Sequence, residues 1–420
     1  MNALLDELTW RGLIAQSTDL DALGAAMDEG PIKFYIGTDP TAPSMHVGHL
    51  VQQLLARRLQ LAGHRPYLLV GGGTGLIGDP KETGERVMNP VELVHEWVDK
   101  IRSQVEKFVT FEGDAAATMV NNYDWLSTVS ILEFLRDVGK HFPVNRMLAR
   151  DVVARRLEEG ISYTEFSYVL LQSMDYRELY RRHGVTLQTG GSDQWGNLTA
   201  GVELIRRSDQ AKVHALATPL ITKADGKKFG KTETGTVWLD PAMTSPYALH
   251  QYFLNVPDEN VGHYLRVFTF RSREEIEELE KATAESPHLR LGQRALADDL
   301  TDLVHGVGER EAATSAASAI FGRSELSELP VSVLTAVMTE LGAETVVMPD
   351  GINVVDALVQ AKVVESKSAA RRAIAEGGAY LNNVKITSGD DMIDASTLLH
   401  GQFALLRRGK RTVGGLIRAA

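Results

Sequence analysis

Apolar positions early in the chain recur with two different periods, and the alternation between them predicts a parallel α/β sheet. Residues 33–37 (KFYIG) form a short apolar run closed by glycine, as a buried strand does. A polar loop with two prolines follows over 38–45. From His49 the apolar residues fall at helical spacing, Leu50, Leu54, Leu55, Leu59 and Ala62, until Gly63 ends the pattern. Residues 67–70 then read as a second buried strand. Strand, helix and strand within about 40 residues is a βαβ unit, which joins parallel strands by a right-handed crossover. Val94, Trp97, Val98, Ile101, Val105 and Phe108 mark a further amphipathic helix, and 187–190 a further strand before the polar loop 191–197. The expectation is a doubly wound α/β domain over roughly the first 220 residues.

After Ser245 the pattern changes to helices rich in Glu, Ala and Leu, with no strand signal as far as Leu329. Residues 342–351 resemble a linker. Beyond it Val354, Val355, Leu358 and Val359 begin a small helix. Ser366 stands where it would cap a second, which carries Arg371 and Arg372 and ends at Gly377 and Gly378. Asn382 and Asn383 signal a turn between two short strands. The predicted order is α/β, then α, then a small α+β module, without internal repeats.

Composition changes this picture in three ways. The chain has no cysteine, which removes disulfides, thiolate metal sites and a cysteine nucleophile. The net charge of −11 argues at first against a nucleic-acid partner, but it is unevenly spread. Residues 351–420 hold ten Lys/Arg against six Asp/Glu, so the end of the chain is basic and the rest strongly acidic. No apolar run approaches the ~18–20 residues of a membrane span. Residues 1–16 are amphipathic, contain Asp6 and Glu7, and lack the basic start and apolar stretch of a signal peptide, so a cytoplasmic chain without membrane contact is expected.

Three motifs carry chemistry. Gly73, Gly75 and Gly78 match a dinucleotide-binding G-x-G-x-x-G after a strand, yet Asp79 and Pro80 follow where that motif needs a helix to open. No acidic residue ends a second strand ~20 residues later, so these glycines are expected to admit a ligand close to the backbone instead. His46-Val47-Gly48-His49 opens a helix, where free N–H groups favour an anion. The two histidines share a face with Gly48 between them; ordinary capping, or half of a metal site, is an equal reading of that stretch alone. Residues 223–232 (KADGKKFGKT) place four lysines in a glycine-containing loop able to reach a polyphosphate, or form a merely solvated basic loop.

Together the two motifs are the signature of class I aminoacyl-tRNA synthetases. The chain resembles a bacterial-type tyrosyl-tRNA synthetase from end to end, most closely over 35–50, 69–80, 121–125, 161–175, 190–200 and 222–240. HVGH and KFGKT vary the usual HIGH and KMSKS but keep both histidines, both lysines and the final hydroxyl. Ile36 stands where relatives often carry cysteine. The resemblance implies a Rossmann-type catalytic domain over 1–244, a helical domain for the tRNA anticodon arm over 245–341, a linker over 342–350 and an S4-like RNA-binding domain over 351–420. It also implies a homodimer that tRNA spans, with the helix near 97–108 at the interface.

The implied reaction is attack of the tyrosine carboxylate on the α-phosphorus of ATP, then transfer to tRNA(Tyr). Thr41, His46 and His49 are expected at the polyphosphate, with Gly48 leaving room for it, and Lys228, Lys231 and Thr232 closing over the same phosphates. Asp193 and Gly191 belong at the ATP ribose by resemblance, with Asp39 nearby. Mg²⁺ is expected to arrive with ATP rather than in a protein cage. Tyr35 and Asp175 match the residues that contact the phenol hydroxyl of L-tyrosine. Phenylalanine would leave both unpaired, which is this family's own means of discrimination. Asp79, Tyr168 and Gln172 match ligands of the substrate ammonium, and Gln194 lies near its carboxylate. In the tail Arg371, Arg372, Arg407, Arg408, Lys410 and Arg411 are candidates for phosphate contact, which positions RNA without reading its sequence. The competing readings are a tryptophan enzyme, a small-molecule ligase with the same histidines, and a non-catalytic synthetase-like RNA-binding protein.

Overall fold

The computed structural model describes the chain except residues 1, 82–83, 85–87, 223–228, 233–234, 323–324, 349–350, 410–411 and 420. The chain divides into two compact units, Met1–Met243 with Pro257–Pro287, and Thr244–Val256 with His288–Ala420.

The first unit is built on a six-stranded sheet. Its strands are β1 (Gln16–Ser17), β2 (Lys33–Thr38), β3 (Arg65–Val70), β4 (Thr118–Asn121), β5 (Leu187–Gly191) and β6 (His214–Thr218), in the spatial order β1-β6-β5-β2-β3-β4. All neighbours run parallel except β1, which lies antiparallel on β6. The expected βαβ unit is β2, the helix Leu50–Leu61 and β3, and Gly63 at φ +94° turns the chain out of that helix. The helix expected near 94–108 is Val91–Val105. A 21-residue helix, Tyr163–His183, leads into β5 and stops at Gly184 in the left-handed region. From β2 the chain steps outward to β3 and β4, then returns to β5 on the other side of β2. That reversal opens a crevice at the carboxyl ends of the strands, where open α/β sheets bind ligands.

One departure from the sequence reading concerns the helical region. The helices Asp258–Phe268 and Arg273–Glu285 belong to the first unit rather than to a separate domain over 245–341. Their anchor is a pair of buried arginines, Arg11 and Arg58, which donate to main-chain carbonyls between residues 266 and 271. Composition alone could not distinguish these helices from those that follow.

The second unit contains the helices Pro246–Leu254, Leu291–His305, Val307–Ile320 and Val331–Glu340, followed by a small mixed module. A two-stranded antiparallel sheet in the first unit, β7 (Lys231–Thr232) and β8 (Gly235–Thr236), precedes them. The module has strands β9 (Glu344–Val346), β10 (Ile352–Asn353), β11 (Ala379–Leu381), β12 (Val384–Lys385), β13 (Met392–Ile393), β14 (Phe403–Arg408) and β15 (Thr412–Arg418). Five of them form a sheet in the order β12-β11-β14-β15-β9. Ser366 caps the helix Lys367–Ala375 by accepting from Ala369 N–H, and Asn382 and Asn383 (φ 48° and 67°) make the tight turn between β11 and β12. The expected linker 342–350 instead contains β9, paired parallel to β15, a three-residue edge strand too short to leave a period in the sequence. Tyr247, Ala316, Leu334, Met338, Phe403 and Leu405 share one buried cluster, so helices and module have a common core.

Candidate active site

Loops leaving the ends of β2, β3, β4 and β5 converge with one face of the helix Tyr163–His183. On that face Tyr168, Gln172 and Asp175 recur at i, i+4 and i+7. Asp175 is 2% exposed, and both its oxygens are held: Oδ2 accepts from Asn122 Nδ2 (2.9 Å) and Oδ1 from Trp125 Nε1 (2.8 Å). Burial nevertheless pushes its carboxyl up to about 8 against those two donors. Tyr35, on β2, is 1% exposed, and its hydroxyl has no hydrogen-bond partner among the described residues. Burial, and then the charge of Asp175, hold its phenol well above the ordinary value. The buried Gln172 Oε1 likewise has no partner among the described residues. A buried polar atom left so costs about 1–3 kcal/mol, so both groups are suited to meet a polar ligand.

Asn122 ties this end of the crevice to the next. Its side chain also donates to Thr74 Oγ1 (2.8 Å) and accepts from Gly73 N–H (2.7 Å). Thr74 Oγ1 donates to Asp39 Oδ1 (2.6 Å), and the Tyr168 hydroxyl donates to Asp39 Oδ2 (2.6 Å). Glycine is required at 71, where a Cβ would stand 1.9 Å from Asp39 Oδ1. The glycine stretch therefore serves close packing of this network, and among the described residues no helix opens from Gly78. Asp79 accepts from Gln194 Nε2 (2.8 Å) and Asn197 Nδ2 (3.2 Å), and Arg150 donates to Asn197 Oδ1. Asp193 folds back over the end of β5, and a Cβ at Gly191 would lie 2.5 Å from its Oδ1.

At the other end His46 and His49 stack with ring centroids 3.9 Å apart. His46 Nδ1 accepts from Gly48 N–H (3.1 Å), and His49 Nδ1 accepts from His46 N–H (3.0 Å). With Nδ1 accepting, each neutral ring carries its proton on Nε2, a donor suited to a phosphate oxygen. Desolvation, and then His46, push His49 down to about 3, so it is neutral near pH 7. Gly48 serves the histidine itself, because a Cβ there would meet the His46 ring at 2.8 Å. Thr41 is exposed on the loop after β2, its N–H bonded to Asp39 O (2.9 Å).

The lysine motif reaches the histidine motif through its backbone. Val47 N–H donates to Val237 O (3.0 Å), Leu239 N–H to Met45 O (2.9 Å) and Val237 N–H to Gly230 O (2.8 Å). β7 brings the backbone of Lys231 and Thr232 beside β8; their side chains, and all of Lys228, lie outside the described residues. Among the described residues no group of three or more His, Cys, Asp or Glu side chains stands together as a metal site, and no helix is long and apolar enough to cross a membrane.

In the second unit Arg371, Arg372 and Arg408 are exposed. Arg407 differs: its guanidinium lies 4.3 Å over the Tyr380 ring and donates to Gly409 O (2.7 Å), so much of it is used in holding the sheet. Lys410 and Arg411 lie outside the described residues.

A family model described as tRNA synthetases class I (W and Y) matches residues 27–322, and one described as the Tyrosine--tRNA ligase SYY-like C-terminal domain matches 339–413. A tyrosine--tRNA ligase of Cutibacterium acnes is 60% identical over 100% of both chains, and that of Streptomyces coelicolor 58% identical over 99% of each. The chain belongs to the tyrosine--tRNA ligases of class I. A C-terminally truncated mitochondrial tyrosyl-tRNA synthetase of Aspergillus nidulans has a similar structure, with a TM-score of 0.69, 30% identity, and coverage of 76% of this chain and 95% of that one. Within this tyrosine--tRNA ligase, sequence reasoning left Thr74, Asn122, Trp125, Arg150 and Asn197 without roles. Thr74, Asn122, Trp125 and Asn197 lie inside the stretches that carried the resemblance, but nothing in their local pattern indicates which distant carboxylate each would hold.

Proposed function

We propose that the chain is a tyrosine--tRNA ligase, activating L-tyrosine with ATP to tyrosyl-adenylate and then charging tRNA(Tyr). The observation that carries this reading is the buried Tyr35 hydroxyl, unpaired among the described residues, which feels the charge of a doubly anchored Asp175, a polar pair in largely apolar surroundings. A phenol hydroxyl bridges such a pair, donating to one partner and accepting from the other. Gln172, Tyr168 and Asp79 would receive the ammonium, with Gln194, held by Asp79, near the carboxylate.

In the first step a tyrosine carboxylate oxygen bonds to the α-phosphorus as the bond to pyrophosphate breaks. No protein nucleophile is involved, so positioning and charge carry the rate. His46 and His49 would donate from Nε2 to the leaving phosphates, with Thr41, Lys228, Lys231 and Thr232 around them. Gly191 and Asp193 would meet the ribose, with Asp39 nearby. Mg²⁺ enters as part of the MgATP substrate. In the second step a ribose hydroxyl at the tRNA 3′ end attacks the adenylate carbonyl and releases AMP. Arg371, Arg372, Arg408, Lys410 and Arg411 would contact RNA phosphates, and Arg407 to a lesser degree.

The reading includes a cytoplasmic homodimer. Its support is a set of strongly exposed apolar side chains between 131 and 163, namely Ile131, Leu132, Val144, Leu157 and Tyr163, in addition to the helix near 97–108 that the resemblance implies. A monomeric mass by light scattering at micromolar concentration would remove the dimer. The activity is tested by ATP–pyrophosphate exchange with each amino acid in the absence of tRNA. Exchange dependent on tyrosine, and lost in Lys231→Ala, is expected; exchange with tryptophan or with none would refute the proposal.

A further inference from the structure

The lysine motif is tied to a single helix at two points, one just before it begins and one within it. Before it, the Thr222 carbonyl accepts from the Tyr264 hydroxyl (3.1 Å). Within it, Phe229 stacks on Phe268, with centroids 5.1 Å apart and planes at 20°, and meets the Tyr264 ring edge-on at 5.0 Å. Tyr264 and Phe268 are one turn apart on the helix Asp258–Phe268 and so share a face. All three aromatic side chains are buried.

The C-terminal end of the same helix, where Phe268 lies, is also held by two arginines. Arg58 Nη2 donates to the carbonyls of Val267 (3.4 Å) and Thr269, and Arg11 Nη1 to those of Arg266 (2.9 Å) and Thr269 (3.2 Å). Two guanidinium groups at a helix C-terminus satisfy carbonyls that lack helical partners and suit the helix dipole. Arg58 lies on the helix Leu50–Leu61, the one that His49 opens. The circuit closes at Gly230, where a Cβ would stand 2.5 Å from Val47 Cγ2. Both phosphate motifs thus hang from one ring of contacts: the histidine motif, its helix, Arg58, the helix Asp258–Phe268, Phe229 and Gly230.

We propose that the helix Asp258–Phe268 is a positioning element for adenylate formation, with Tyr264 and Phe268 acting through Thr222 and Phe229 to hold the backbone of Lys231 in place against His46 and His49. This rests on the activation reading above. Neither residue belongs to the tyrosine end of the crevice, so each acts on the transition state for pyrophosphate departure and leaves tyrosine binding alone. A helix grouped by sequence with the tRNA-arm helices then takes part in the first chemical step, before tRNA is engaged.

The test uses the full chain with Tyr264→Phe, which removes only the hydroxyl, and Phe268→Leu, which removes the stacked ring. Pyrophosphate exchange gives kcat and the KM for ATP, equilibrium dialysis the Kd for tyrosine, and thermal melting the fraction folded. Tyr264→Phe is expected to lower kcat/KM for ATP roughly 3- to 10-fold, the size of one hydrogen bond, and Phe268→Leu by more. Tyrosine Kd should stay within about twofold of the unsubstituted protein. Unchanged ATP kinetics in both folded variants would overturn the proposal, as would a tyrosine Kd that rises in step with the loss. Absence of exchange in the unsubstituted protein would instead defeat the activation reading, and this proposal with it.

Discussion

Asn122→Ala is expected to weaken tyrosine recognition selectively. The Asn122 side chain is fully buried and makes three hydrogen bonds, to Asp175, Thr74 and Gly73. Truncation leaves the Gly73 N–H and one oxygen of Asp175 unpaired, at about 1–3 kcal/mol each. The Gly73 share falls equally on free and liganded protein and shows as lost stability. The Asp175 share falls on the phenol site, because a carboxyl held only by Trp125 is free to rotate away from Tyr35. A loss of about 1.4–2.7 kcal/mol there lowers kcat/KM for tyrosine roughly 10- to 100-fold. Phenylalanine makes no use of Asp175, so its kcat/KM should hardly move, and the ratio between the two amino acids should narrow. Exchange kinetics with tyrosine and with phenylalanine, together with a melting curve, measure all three quantities. An equal fall for both substrates would refute the reasoning, since it would mean that Asn122 supports the fold and not the orientation of Asp175.

Two further outcomes follow from the same geometry. Burial raises the Asp175 carboxyl to about 8, so the folded state keeps its proton while the unfolded chain loses it near pH 4. The stability tied to this group is full below about pH 4 and is lost as pH rises towards 8, by up to about 1.4 kcal/mol per unit. Urea denaturation should find Asp175→Asn gaining on the unsubstituted protein between pH 5 and 8, and a gap that does not vary with pH would contradict this. Gly48→Ala puts a Cβ 2.8 Å from the His46 ring, and a shift of about 1 Å in that ring should slow single-turnover adenylate formation by roughly 100-fold. Retention of the full rate would show that His46 is not positioned through Gly48.

What the sequence revealed depended on how local the physical cause was. β2, the helix from Leu50 and β3 lie in consecutive segments whose apolar periods are strong, and the loop of His46 sits between them. The Asn382–Asn383 turn was legible because two successive residues at positive φ need side chains that tolerate it. β4 and β9, of four and three residues, are too short to show a period, and β6 (HALAT) is too weakly patterned. The membership of Asp258–Phe268 in the first unit depends on Arg58, some 200 residues away in sequence, as the separation of 211 between Arg58 and Thr269 makes plain. The site was legible where a motif carried it and opaque where a side chain acts at a distance. Asp175 and Tyr35 were named from resemblance, whereas Asn122, which anchors one and links it to Asp39, was not. Arg407 counted as a basic residue like its neighbours, and only its place over Tyr380 separates it from them.

The shared core of the second unit bears on how that part of the chain can be divided. Met338, on a helix, would touch a Cβ at Gly415 of β15 at 2.3 Å, and Phe403 and Leu405 are buried with Tyr247 and Leu334. Cutting the chain before β9 would uncover that apolar layer on the helices and leave the severed module without one wall. The helices and the basic end therefore share one apolar layer, and a boundary drawn where the composition changes would cut through the middle of it.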